Sequence, residues 1–553
     1  MNPLTILLVI ACYFALLFFI SYLAGRKADN AGFFSGNRSS NWLLVAMSTI
    51  GAAISGVTFV SVPGMVATSG WAYMQMVLGF TVGQFLIAYV LIPLYYKLNL
   101  TSIYQYLQQR FGMNTYKSGA WLFFVSKMLG ASVRLFVVSE VLQLLVFDRL
   151  AVPVPFWVNA IITVLIVYLC TFKGGVKSLI WTDLLKTCCL ILSVALCIYF
   201  ILRAGVNIEG WTSSAMTRTF FFDNPKEGTY FWKQFLAGIF LVIATTGLDQ
   251  DLMQRTLSCK NPRESQKNLI VGAMMQIVVI GLFLFLGFLL YSYAQQMGIT
   301  EVASMKGDDV FPFLAAKMTV FPVVVGVLFV VGFIAAAYSA AGGALTALTT
   351  SFTIDILNKQ EGTEASLTRT RTLVHIGMAV LMAVCIYVIH MLNNDSVIQT
   401  VYKVASYTYG PLLGMFCFGI FTKRQVRDKW IPLVVILAPV ITWVIDVNSA
   451  AWFHGYVFSH ERLILNALLT FAASFAIPLV KYPSSVVTLF LAAVRAESTV
   501  LKPSAVAKYS GRCSPSFRAF FASPPLKLPS SVVTLAATLS TLVLVVPNAL
   551  AVA

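Results

Sequence analysis

Residues 47–64 read MSTIGAAISGVTFVSVPG. The stretch is apolar enough for a bilayer, yet Gly51, Ser55, Gly56, Thr58, Ser61, Pro63 and Gly64 make it a poor continuous helix, because glycine and proline weaken or interrupt the i to i−4 ladder. In hydrocarbon an unsatisfied backbone group costs several kcal/mol, so a broken spanning helix persists only where its freed backbone lines a cavity or holds a ligand. The working site is therefore expected here.

The 553 residues are 59% hydrophobic and 11% charged, with a mean hydropathy of +0.83; a soluble globular chain carries about 25% charged residues. This is the composition of a polytopic membrane protein, with the lipid bilayer as its first partner. A formal net charge of +17 raises the question of nucleic acid, but the basic residues are scattered over short loops rather than gathered in a patch or arm. No nucleic-acid partner is expected, and no obligate protein partner is implied. The nine cysteines show no CxxC or Cys/His metal spacing, and Cys188 and Cys189 lie in an apolar run, so they read as small apolar residues. The run 4–23 lacks a basic leading region and an A-x-A cleavage site, and Arg26 and Lys27 follow it, which favours an uncleaved first span.

Apolar runs of roughly 18 to 28 residues qualify as spans. They occur near 4–24, 42–66, 71–95, 119–147, 155–172, 177–203, 232–256, 267–294, 320–357, 367–391, 396–421, 430–447 and 462–480. The expected fold is all-α, with about thirteen transmembrane helices. Twenty basic residues, Arg255 among them, fall on one side of this arrangement and seven on the other, which orients the N-terminus outside in a cell membrane. After the first span come five (42–203) and five more (232–421), and each set opens with a helix carrying a polar, glycine-bearing patch. In the second set the patch is Thr245, Thr246, Gly247, Asp249 and Gln250. An odd number per set inverts one half relative to the other, the pattern of transporters that bind between two broken helices near mid-membrane. Residues 1–482 form this domain. The segment 483–553 differs: it is rich in Pro and Ser, holds six basic residues against Glu497 alone, and repeats PSSVVTL at 483–489 and 529–535. It reads as a disordered tail or one extra helix.

Five stretches resemble the sodium/solute symporter family, in the family's order: LTSIYQYLQQRFG (100–112), GGVKSLIWTDLLK (174–186), DQDLMQRTLSCKN (249–261), ALTALTTSFTIDIL (344–357) and YGPLLGMF (409–416). The resemblance covers residues 1 to about 480. It implies secondary active transport, in which sodium moving down its gradient drives uptake of a small polar solute, a sugar or a carboxylate such as a sugar acid. It also implies main-site sodium ligands at the carbonyls of Gly51, Ile54 and Ala336 and the hydroxyl of Ser339. A hard cation needs several oxygens, and none of these is charged.

The stretch AAYSAAGGALTAL (336–348) departs from the family pattern, with Ala340, Gly342 and Gly343 where relatives usually carry a hydroxyl, Asp and Ser. The missing hydroxyl at 340 removes one of about five sodium ligands, a contact worth roughly 1.5–3 kcal/mol. A second sodium site known in some members matches here only through Asp183, so a second ion is not expected. Lys186 stands where relatives usually have Gln, and as an i,i+3 neighbour of Asp183 it is a candidate coupling residue, a tethered cation in place of an ion. The alternative is a lysine that reaches the cytoplasmic interface. Lys127 is expected to snorkel near a span end.

For the solute, the resemblance implies Arg134 as the carboxylate partner, with Ser55 and Thr58 as hydrogen-bonding positions; Gln75, Thr245, Asp249 and Gln250 are further pocket candidates. The bland alternative for Arg134 is a salt bridge to Glu140. His375, His390, His454 and His460 are isolated in the sequence, and no nucleophile–base pair or phosphate loop appears, so an enzyme is not expected. The rival function is a transporter-like solute sensor, or an uncoupled or proton-dependent carrier in which H+ replaces or supplements Na+.

Overall fold

The computed structural model describes residues 3–26, 28–54, 56–145, 147–149, 154–209, 211–316, 323–359, 363–392 and 395–476. Ser55 and the whole segment 483–553 lie outside them. The described residues are helical, and the helices that carry the architecture are α1 (Pro3–Gly25), α2 (Trp42–Ala53), α3 (Gly56–Gly64), α4 (Tyr73–Lys97), α5 (Met113–Leu145), α6 (Phe156–Thr171), α7 (Val176–Arg203), α8 (Phe231–Val242), α9 (Gln250–Thr256), α10 (Pro262–Gln296), α11 (Val323–Ser351), α12 (Glu364–Leu392), α13 (Asp395–Phe421), α14 (Ile431–Val447) and α15 (Arg462–Ala476).

By length and apolar composition, eight of the segments are long enough to cross a bilayer and two more do so as bent pairs. α2 and α3 bend by 65° at their break, and the segment Phe231–Gly247 bends by 72° against α9. Three shorter apolar helices, at Phe156–Thr171, Tyr407–Phe421 and Arg462–Phe475, complete a set that falls segment by segment on the thirteen expected spans. Their outward faces are apolar, as lipid requires: Leu165 and Leu169 on α6 and Val380 and Val388 on α12 are all between 46% and 59% exposed.

The packing repeats itself with the two halves exchanged. α7, fifth in the first set, packs on α11, third in the second; α13, fifth in the second set, packs on α5, third in the first. Likewise α4 packs on α8, and α10 packs on α2 and α3. An inverted repeat produces this reciprocity because each half supplies both members of an equivalent contact. Close crossings sustain it. A Cβ on Gly79 of α4 would lie 2.2 Å from the carbonyl oxygen of Phe235 on α8, so the two backbones touch where glycine leaves room. The result is a core in which α2, α7, α9 and α11 meet around buried charge.

Candidate transport site

The two helix breaks differ in what happens to their freed carbonyls. At the first, α2 ends at Ala53 and Ile54 turns to extended backbone (φ −88°, ψ 101°) before α3 begins at Gly56. Helix termini leave their last carbonyls without intrahelical partners. At the second, the carbonyl of Gly247 accepts the hydroxyl of Tyr95 and that of Leu248 accepts Tyr104, both at 2.9 Å. Each of these carbonyls therefore already has a protein donor.

The expected sodium ligands lie on helices that pack together at the first break. Gly51 sits where α2 meets α7, and a Cβ there would lie 2.0 Å from Thr187 Oγ1. Thr187 in turn donates to the carbonyl of Met47 at 2.9 Å. α11 packs on both α2 and α3 and brings Ala336 and Ser339, each buried, to the same region. The Ser339 hydroxyl donates its proton to Asp183 Oδ1 at 2.9 Å, which leaves the oxygen's lone pairs as acceptors for a cation.

Asp183 is fully buried and accepts four donors. Oδ1 takes Ser339 Oγ and Lys186 Nζ, the latter at 3.1 Å; Oδ2 takes Ser48 Oγ at 3.0 Å and Arg255 Nη1. An ionised carboxylate has about four acceptor positions. All are taken by protein. Lys186, at 2% exposed, also donates to the carbonyl of Tyr338 at 3.4 Å and does not reach the cytoplasmic interface.

Two basic residues stand elsewhere than the sequence reading put them. Arg255, counted there among the loop cations, is completely buried, bonded through Nε to Asp251 Oδ1 at 3.1 Å and through Nη2 to the Ser339 carbonyl at 3.4 Å. A Cβ on residue 343 would lie 1.8 Å from Nη2 and 2.2 Å from Asp251 Oδ1, so Gly343 is the space the guanidinium occupies. Lys127, expected to snorkel, is only 11% exposed and bridges Asp249 (3.1 Å) and Asp251 (2.9 Å). An ammonium in hydrocarbon needs a partner or water, and these two aspartates at the second break supply it. Helical spacing announces only the pairs Asp183–Lys186 and Asp251–Arg255; the signal for the cluster that joins them was the conjunction of acids at 183, 249 and 251 with glycine at 343.

The solute candidates divide. Arg134 lies half-buried in the middle of α5, and among the described residues it has no hydrogen bond or ion pair. The alternative partner Glu140 is bound instead to His390 Nδ1 at 2.7 Å, so that histidine is not isolated; nor is His375, held between the hydroxyls of Thr171 and Thr349 at 3.0 and 2.7 Å. Arg134 lies within electrostatic range of Tyr409, whose hydroxyl donates to Asp249 Oδ2 at 2.7 Å. Thr58 is half-buried in the first turn of α3, and Thr245, beside the second break, donates to its own helix at Leu241. The other two serve backbone. Gln75 donates to the carbonyls of Ala72 and Thr229 and accepts from Phe221 N–H, while Gln250 donates to the Thr101 carbonyl and accepts from Ile103 N–H. Both amides hold segments together.

The family model for the sodium:solute symporter family matches residues 33–428. The chain belongs to this family. It is 26% identical over 474 residues to the sodium/sialic acid symporter NanT of Aliivibrio fischeri, covering 81% of this chain and 89% of the relative, and 26% identical over 419 residues to sodium-coupled monocarboxylate transporter 1 of Mus musculus, covering 73% and 66%. The solved substrate-bound, outward-open structure of a sodium-coupled sialic acid symporter superposes with a TM-score of 0.74 over 86% of this chain and 98% of its own, at 20% identity, a likeness of fold. As a sodium:solute symporter the chain is a multi-pass membrane transporter that couples sodium to the movement of a small organic solute, in a family of transporters.

Much of what marks this symporter in sequence is scaffold. In the 100–112 stretch, Ser102 donates to the buried Asp355 at 2.7 Å, and Arg110 donates to the carbonyls of Gly419, Thr422 and Arg424. Asp355, from the 344–357 stretch, also accepts Ser351 and Tyr116 at 2.6 and 2.8 Å. These bonds tie the ends of α5, α11 and α13 together.

Proposed function

We propose that this symporter imports a solute bearing a carboxylate, a sugar acid or short organic acid, with a sodium ion held between the first helix break and α11. The observation that carries the reading is the charge of Arg134. Asp183, Asp249 and Asp251 are matched by Lys186, Arg255 and Lys127, and Glu140 is bonded to His390 rather than to Arg134, so Arg134 is left without an acid of its own among these described residues. A guanidinium is suited to bidentate binding of a carboxylate. That two relatives are named for sialic acid and for monocarboxylates supports the same class. Thr58, in the first turn of α3, and Ser55, three residues before it in sequence, would take the solute's hydroxyls, and Thr245 lies beside the second break. Gln75 and Gln250 are left out because backbone engages their amides.

For sodium, the ligands are the carbonyls of Gly51, Ile54 and Ala336 and the hydroxyl of Ser339. Asp183 orients that hydroxyl from behind, as outer partners orient metal ligands elsewhere. Lys186 and Arg255 replace a second ion at Asp183, so coupling is to one sodium per solute. Because Ala340 offers no hydroxyl, the rival is a carrier that uses H+ in place of Na+. The excess of loop cations on one side supports an outside N-terminus in the cell membrane, and removing Arg255 from that count leaves the bias intact.

The test is uptake into proteoliposomes under an imposed sodium gradient, with N-acetylneuraminate, lactate and glucose compared. Sodium-driven accumulation of a carboxylate is expected, lowered by about 10- to 100-fold in Arg134→Gln, the equivalent of a charge-assisted contact. Accumulation driven by a proton gradient alone would favour the rival, and an Arg134→Gln carrier as active as the parent would remove the carboxylate reading.

A further inference from the structure

An unbroken series of polar contacts runs from the neighbourhood of Arg134 to the proposed sodium-site serine. Tyr409 donates to Asp249; Lys127 bridges Asp249 and Asp251; Asp251 accepts from Arg255; Arg255 reaches Asp183; and Asp183 accepts the Ser339 hydroxyl. Three aspartates and three cations balance, so the series holds no net charge of its own. Removing one partner from buried pairs leaves a strongly disfavoured uncompensated charge, so the members hold together or rearrange together.

We propose that Lys127 is the positioning residue that couples solute to sodium. Among these contacts it is the bridge from Asp249, the residue that touches Tyr409, to Asp251, the residue that touches Arg255. It stands on α5, seven residues before Arg134 and so on the same face two turns away, whereas both aspartates belong to the second break. A solute drawn to Arg134 and a shift of α5 against α9 are thereby felt at one ammonium. Lys127 is also the most exposed of the three cations, at 11% against 2% for Lys186 and 0% for Arg255, and so the one whose pairing water most readily replaces. Asp249 adds leverage, because its carboxylate also accepts the N–H of Asp251 as the N-cap of α9. Loss of the Lys127 bridge therefore alters how the second break is held as well as how Asp183 presents Ser339.

This inference rests on the proposed sodium and solute ligands. Its test is equilibrium binding of radioactive sodium to the purified full-length protein, titrated with and without N-acetylneuraminate. In the parent the solute is expected to tighten sodium binding by a factor within the usual range of about 5 to 150. In Lys127→Gln that factor falls to about one, whatever the sodium affinity measured without solute, and Lys127→Arg keeps most of the coupling. Tyr409→Phe, which keeps every charge and cuts the first contact together with the hydroxyl's bond to Ser126, loses at least about half of the coupling free energy and serves if Lys127→Gln fails to fold. A parental coupling factor in Lys127→Gln, or in Tyr409→Phe, overturns the proposal. A parent that binds sodium with no response to N-acetylneuraminate or lactate counts instead against the functional reading.

Discussion

Gly343 has no side chain, and that is its contribution: Arg255 occupies the volume a Cβ would need. Gly343→Ser is expected to expel the guanidinium from Asp251 and Asp183, and breaking such a buried pair costs about 3–5 kcal/mol. The measurement is thermal unfolding in detergent, where a large fall for Gly343→Ser should be partly recovered by Gly343→Ser/Arg255→Gln; an unchanged midpoint would show that the guanidinium has room elsewhere. Individual residues were unevenly legible in the sequence. Lys186 beside Asp183 followed from i,i+3 spacing, because that neighbourhood lies within one helix. Lys127 and the burial of Arg255 did not: Lys127 finds its aspartates on a helix distant in the chain, Arg255 adds Asp183 of α7 to its own-helix partner Asp251, and a cation near a span end looks the same in sequence whether it snorkels or pairs. The backbone partners of Gln75 and Gln250 were hidden for a related reason: an amide inside an apolar helix signals a partner without saying whether that partner is solute or backbone.

The broken helices were legible because glycine, proline and serine in an apolar run contradict a continuous ladder, and 42–64 and 231–256 bend by 65° and 72°. What sequence could not separate is the different finish of the two breaks, since the tyrosines that donate to the second come from α4 and from residue 104. The first break depends on the close approach of α2 to α7. Gly51→Ala would push a methyl onto Thr187 Oγ1, an overpacking that costs about 1–3 kcal/mol. Sodium-dependent uptake should fall in Gly51→Ala and return in part in Gly51→Ala/Thr187→Ala, where the obstructing oxygen is gone; equal loss in both would mean that the methyl acts by some route other than this contact.

Across the molecule, the proposed stoichiometry of one sodium per solute rests on the charges. The resident cations on Asp183 leave its carboxylate no acceptor free for an ion, while the first break and α11 offer one set of uncharged oxygens. A single sodium ion carried with a solute of one negative charge moves no net charge, whereas two would make uptake run faster with the interior negative. The apolar helical segments and their inverted order were readable from composition and loop charge, since lipid dictates both; the proposed count of ions was not, since it turns on how side chains from α2, α7, α9 and α11 meet. The most direct measurement is therefore the ratio of radioactive sodium to N-acetylneuraminate entering the same proteoliposomes, with the membrane potential clamped at zero and then made inside-negative. The expected result is about one sodium per solute at a rate indifferent to potential. A ratio near two, with uptake accelerated by the negative interior, would contradict the assignment of Asp183 to Lys186 and Arg255.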